Sequence, residues 1–268
     1  MIYKRVYLSN EKNSAFLDTY AVPFKKSAPK DAILVVPGGG YRVVCDDREG
    51  EPIALAYNAR GLSAFVLNYT VPPKTKDGPL LEIAEAFAYI KRNAEEFYIN
   101  PDRIFVIGFS AGAHLVGTLS TCYRRAEKAL GLPEGFVRPA GTVYSYPVVS
   151  AIYETHKGSF SNLLGKNFDQ ISEQEKREYS NELLVTESTP PAFIWHTSTD
   201  SVVSVHGSLR LAENYVRAGV PVELHVYPKG PHGMALAMEH TADGSDVYVD
   251  ARVSRWLGES VEWMKTIS

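Results

Sequence analysis

Short apolar runs of strand length alternate along this chain with stretches whose apolar positions recur every three or four residues. Eight runs read as strands: Tyr3–Leu8, Phe16–Ala21, Ile33–Val36, Ala64–Tyr69, Ile104–Ile107, Thr142–Tyr146, Ala192–His196 and Val222–Tyr227. The middle runs are continuously apolar rather than alternating, as strands buried on both faces of a parallel sheet are. Helical spacing links Leu80, Ile83, Ala84, Phe87, Ile90, Ala94 and Phe97. It also links Val205, Leu209, Ala212, Tyr215 and Val216, and later Val249, Val253, Trp256, Leu257, Val261 and Met264. A repeating strand–helix order predicts an α/β protein with a mostly parallel eight-stranded sheet and helices on both faces. No helix separates the first two runs, so that edge is expected to be an antiparallel hairpin.

The rhythm breaks between 148 and 191, where no strand is expected. Weak helix signals lie near Ser159–Leu164 and Ser172–Tyr179, the second dominated by charge. This segment reads as either a solvated connector or a small cap over a pocket, since long insertions in such folds often serve as lids.

Composition narrows the classes. The 268 residues allow one large domain or two small ones. With 28 Lys+Arg against 31 Asp+Glu, the chain lacks the basic surface of a protein that binds nucleic acid by charge. Cys45 and Cys122 match no metal or redox spacing and form no disulfide framework. No run approaches the roughly 18 apolar residues of a membrane span, and the N-terminus has no secretory pattern. These features point to a soluble, cytoplasmic protein without a membrane partner. Oligomeric state is not legible.

The strongest local signal is Gly108-Phe109-Ser110-Ala111-Gly112, a G-x-S-x-G turn after a strand and before a helical run. Small neighbours let such a turn close and let helix and strand approach. Serine needs a base, and the base needs an orienting carboxylate. In a turn of this kind the chain order is serine, acid, histidine. Asp200 follows the seventh run and His232 the eighth, both just beyond strand C-termini, where open α/β sheets carry their sites. Ser110, Asp200 and His232 are the candidate triad. His114, His196, His206, His225 and His240 read as structural.

A second glycine loop, Pro37-Gly38-Gly39-Gly40-Tyr41, follows the third strand. The amides of Gly39, Gly40 and Ala111 are the candidate oxyanion donors. A dinucleotide loop is disfavoured, because Val43 occupies the third glycine position and Pro52 argues against a helix directly after the loop. No P-loop lysine follows the loop, and the chain has no H-E-x-x-H motif. Tyr41, Phe109, Tyr146, Pro147, Val202, Val203 and Met234 flank the motifs and are candidate pocket walls.

These residues resemble the α/β-hydrolase superfamily over nearly the whole chain. Within it they are similar to small esterases of the hormone-sensitive-lipase-like and acetyl-xylan-esterase-like groups. The matching stretches are Pro37–Tyr41, Arg48-Glu49-Gly50-Glu51-Pro52, Gly108–Leu115 and Gly230-Pro231-His232-Gly233. Pro37 stands where the lipase-like H-G-G-G motif has histidine, and Ala113-His114 also resembles arylformamidases. The resemblance implies an α/β-hydrolase fold, no cofactor, no metal and a small-molecule ester substrate; residues 110, 200 and 232 and the glycine loop at 38–40 must converge, which makes 1–268 a single domain. Short acyl esters such as acetylated sugars are expected. An amidase with the same triad and a non-catalytic binding protein are the alternatives.

Overall fold

A computed structural model describes residues 1–8, 15–23 and 28–267. Its strands are β1 (Arg5–Tyr7), β2 (Phe16–Tyr20), β3 (Lys30–Val36), β4 (Ser63–Asn68), β5 (Ile99–Phe109), β6 (Thr142–Ser145), β7 (Ala192–Thr197) and β8 (Val222–Tyr227). They join one sheet in the order β1-β2-β4-β3-β5-β6-β7-β8. The β1–β2 and β2–β4 pairs are antiparallel and the rest parallel. The antiparallel N-terminal edge and the mostly parallel remainder agree with the hydrophobic pattern.

Alternate residues of the central strands feed two separate cores. Leu34, Val36, Phe65, Leu67, Ile104, Val106 and Tyr144 face one, and Ile33, Val35, Val66, Phe105, Ile107, Val143 and Trp195 face the other. That double burial is why these runs carry almost no polar residue. The first core is covered by α3 (Gly78–Arg92), α5 (Ala111–Leu130) and α8 (Val205–Arg217), the second by α2 (Glu51–Asn58) and α9 (Trp256–Thr266).

Three helical expectations need correction. The stripe from Leu80 to Phe97 is two helices, because α3 ends at Asn93, whose side-chain amide donates to the Tyr89 carbonyl at 2.7 Å; α4 (Ala94–Phe97) follows. The last helix begins at Trp256 rather than near Val249. Asp250 Oδ1 accepts from the amides of Arg252 and Val253, which holds a turn ahead of the helix. Finally, α1 (Asp46–Glu49) and α2 follow the glycine loop. Pro52 lies in the first turn of α2, where its missing N–H costs nothing.

The 148–191 segment has no strand and carries α6 (Lys157–Leu164) and α7 (Glu173–Glu178). No residue of α7 is buried, and Ser172 with Glu175 closes a capping box at its start. By contrast, α6 buries Ser159, Phe160 and Leu163. Among the described residues, no helix is long and apolar enough to cross a membrane.

Candidate active site

Parallel pairing brings the C-terminal ends of β3, β5, β7 and β8 to one edge of the sheet. Ser110 sits on the turn between β5 and α5 with φ 51° and ψ −114°, a conformation rare for a residue with a Cβ. The flanking glycines are sterically required. A Cβ on Gly108 would lie 2.2 Å from the Gly112 carbonyl oxygen, and one on Gly112 would lie 2.2 Å from that of Val36. The turn therefore closes only without side chains at these two positions.

Ser110 Oγ lies 2.8 Å from His232 Nε2, and His232 Nδ1 lies 2.7 Å from Asp200 Oδ2. A carboxylate oxygen can only accept, so Nδ1 carries the proton and Nε2 is free to accept from the serine hydroxyl. Asp200 is heavily engaged. Its Oδ1 accepts from the amides of Val202 and Val203, both at 2.9 Å. Its Oδ2 also accepts from His196 Nε2 at 3.1 Å. Burial alone would raise this carboxyl, but the bonds from His196, His232 and the Val203 amide hold it well below the ordinary carboxylate range.

His196 thus has a role its position at a strand end did not disclose. Its Nε2 faces both Asp200 Oδ2 and the Val203 carbonyl, two acceptors, so Nε2 bears hydrogen and Nδ1 accepts from Ser208 Oγ at 2.8 Å. It fixes the carboxylate from behind. His114 is structural: Nε2 donates to the Tyr179 carbonyl and Nδ1 accepts from the Tyr41 hydroxyl, each at 2.8 Å. Burial lowers its pKa to about 4. The motif shared with arylformamidases therefore serves packing here.

Gly39 (φ 120°) and Gly40 (φ 65°) turn the chain beside Ser110. Neither their amides nor that of Ala111, the first residue of α5, donates to any described protein acceptor. Three amides therefore stand unpaired around the serine. The loop is braced from beneath by Glu49, which is buried; its Oε2 accepts from the Gly38 amide at 2.8 Å and its Oε1 from the Tyr146 hydroxyl at 2.7 Å. Burial pushes the Glu49 carboxyl up, against the pull of those hydrogen bonds and of Arg48. A glutamine offers only one acceptor oxygen, so Glu49→Gln strands one of the two donors. Its unfolding free energy is expected to fall by about 1–3 kcal/mol in urea denaturation.

The cleft above Ser110 has a volume of about 350 Å³. Its walls include Arg42, Arg48, Glu49, His156, Asn162 and Val202, together with Gly39, Gly40, Ser110 and His232. The expected wall residues Tyr41, Phe109, Tyr146, Val203 and Met234 do not line it. All five are buried. Tyr41 is tied to His114, and Phe109 packs on Tyr146 and Trp256. Tyr146 holds Glu49 and sets its ring edge-on to His232 at 5.1 Å between centroids. Val203 serves Asp200 and His196 through its backbone, and Met234 belongs to the core beneath Gly230. Lying next to a motif says nothing about which side of the sheet edge a side chain takes. From the 148–191 segment, α6 borders the cleft: Asn162 donates to the Gly40 carbonyl at 2.8 Å, and His156 faces the interior. Burial, then the neighbouring His232, lowers the His156 pKa below the ordinary imidazole value. Of the other expected wall residues, Val202 lines the cleft and Pro147 does not; the Arg48-Glu49 stretch also had a sequence signal, and His156 and Asn162 had none. Among the described residues, no group of three or more His, Cys, Asp or Glu side chains is placed to hold a metal ion.

The family described as BD-FAE matches residues 17–215, which include Ser110 and Asp200 and stop before His232. The chain is 36% identical over 223 residues to the endo-1,4-beta-xylanase B of Butyrivibrio fibrisolvens, covering 80% of this chain and 34% of that protein. It is 30% identical over 207 residues to an acetylxylan esterase of Xylanibacter ruminicola, covering 76% of this chain and 41% of that protein. The chain thus spans between a third and about two fifths of the length of these curated relatives. Among solved structures, an acetyl ester-xyloside bifunctional hydrolase from Caldicellulosiruptor lactoaceticus aligns with a TM-score of 0.83 and 33% identity, over 98% of this chain and 96% of that one.

Proposed function

The chain belongs to the BD-FAE family and has the α/β-hydrolase fold, and we propose that it is a serine hydrolase of short-chain carboxylic esters, acetylated sugars or xylo-oligosaccharides in particular. The observation that carries this reading is the relay Ser110–His232–Asp200, at 2.8 and 2.7 Å, beside three unpaired amides. Ser110 Oγ attacks the ester carbonyl while His232 Nε2 takes its proton. Asp200 keeps the imidazole in the required tautomer and stabilises the imidazolium. The amides of Gly39, Gly40 and Ala111 bind the oxyanion of the tetrahedral intermediate, and each is worth about 3 kcal/mol in the transition state. The C–O bond to the alcohol breaks, and the alcohol leaves with the proton from His232. Water then attacks the acyl-Ser110 ester with His232 again as base, releasing the carboxylic acid and restoring the serine.

The acyl preference follows from the cleft wall. Among the described residues, Val202 is its only aliphatic side chain, and polar and glycine residues make up nearly all the rest. A long acyl chain gains about 0.8 kcal/mol per methylene only where apolar surface receives it. An acetyl group needs no such surface, and the donors around it suit a polyhydroxy alcohol portion. The relatives named for xylan and acetylxylan chemistry support the sugar part of the reading. A p-nitrophenyl ester panel is expected to give no rise in kcat/KM from acetyl to decanoyl, where burial of the added methylenes would raise it by about 0.8 kcal/mol each. Acetate release from acetylated xylo-oligosaccharides checks the sugar class. Preference for decanoyl would overturn the short-acyl reading.

A further inference from the structure

We propose that the cleft contains an anion subsite built on Arg48, with Arg42 at its mouth, and that the natural ester carries a carboxylate on its alcohol portion. This rests on the ester-hydrolase reading of the same cleft. An acetyl group has no position for a charge, so the carboxylate belongs to the alcohol.

Arg48 is the exception among the half-buried arginines. Arg103 grips Asp31 at 2.8 and 2.9 Å and also donates to the Ile267 carbonyl. Arg138 donates to the Ser188 carbonyl, and Arg210 to Glu154. Among the described residues, Arg48 has no oxygen acceptor of this kind. Its guanidinium lies beside the Cys45 thiol and within electrostatic reach of Glu49. Glu49 cannot turn to it, because both carboxylate oxygens are held by Gly38 and Tyr146. A half-buried guanidinium whose neighbour is the weakly accepting Cys45 thiol keeps most of its donors free for a ligand.

The position fits a substrate rather than the protein interior. A Cβ on Gly233 would come 3.5 to 3.8 Å from the Arg48 guanidinium atoms, so the charge lies against the backbone next to His232. Arg42 is exposed on the same wall. The short helix α1 divides its charges between two cavities. Asp46 and Asp47 line a separate cavity of about 640 Å³, while Arg48 and Glu49 line the cleft. Asp46 and Asp47 therefore do not line Arg48's cavity; Glu49 does, with both of its oxygens already held by Gly38 and Tyr146. A planar guanidinium matches a carboxylate in bidentate geometry, and two cations in a walled cleft focus the field on an incoming anion. A sugar acid supplies both hydroxyls to carry acetate and a carboxylate to meet Arg48.

The test compares an O-acetylated methyl glucuronoside with its methyl ester, which has the same ring without the charge. Wild type is expected to favour the acid in kcat/KM by about tenfold or more, the usual worth of hydrogen bonds to a charged group. Arg48→Met is expected to bring the ratio close to one, and Arg48→Lys to restore part of it. Equal rates for acid and methyl ester in the wild type would overturn the subsite. So would a ratio left unchanged by Arg48→Met, or an equal loss on both substrates, which marks a structural residue. Calorimetric binding of unacetylated methyl glucuronoside against methyl glucoside reads the same subsite without turnover. Should no ester be cleaved, the hydrolase reading fails while the binding preference still decides the subsite.

Discussion

Ser110→Ala is expected to lower kcat for acetyl esters by about 10⁴- to 10⁶-fold, in the range seen when a triad nucleophile is removed. On the proposed mechanism the change deletes the atom that forms the acyl-enzyme. It leaves the unpaired amides of Gly39, Gly40 and Ala111, so a residual rate above water should persist. KM should move little, because the cleft walls keep their side chains. The fold should hold as well. Alanine must adopt the same φ of 51°, at about the same strain as serine, and the steric demands of Gly108 and Gly112 are untouched. Covalent labelling by a fluorophosphonate probe, followed by mass spectrometry, checks the claim directly. The wild type should gain one adduct on Ser110 and the variant none. A wild type that does not label, or a variant that hydrolyses esters at the native rate, would sink the mechanism.

Asp200→Asn should cost about 10⁴ in kcat, by the logic of a wrong tautomer. The carboxylate accepts four hydrogen bonds, from His232, His196 and the amides of Val202 and Val203. An asparagine brings an NH₂ group that must face either two backbone donors or two imidazole donors. Facing the backbone leaves the Val202 and Val203 amides unpaired. Facing the imidazoles drives His232 to accept at Nδ1 and hold its hydrogen on Nε2, where it can no longer take the Ser110 proton. His196 cannot replace the acid, because it is itself a donor at this position. Asp200 stays ionised well into acid, so loss of its own charge sets in only far below the ordinary carboxylate range. Kinetics with p-nitrophenyl acetate, together with the imidazole N–H resonances of His232, give the readout. Near-native kcat in the variant would move the acid role to another residue.

The eight strands were legible because each central strand is buried on both faces, which forces an unbroken apolar run. Ser110 was legible because its strained turn tolerates only glycine at 108 and 112. Chain order and their places after β7 and β8 marked Asp200 and His232 as the partners proposed for Ser110. The helices after the glycine loop were not found, since Pro52 reads as a breaker in sequence and is harmless in a first turn.

By itself, then, the sequence determined which segments are buried twice and which residue types stand at the strand ends, because local periodicity and steric exclusion are written residue by residue. The tertiary structure alone decided the cleft. Tyr41, Phe109, Tyr146, Val203 and Met234 turn inward, while Arg42, Arg48, His156 and Asn162, drawn from separate elements, make the wall. Glu49 reaches Gly38 and Tyr146, and His196 reaches Asp200, through contacts that exist only once distant segments share one sheet edge. Such partnerships leave no period in the chain, because their spacing is set by the packing of whole elements and not by the geometry of one.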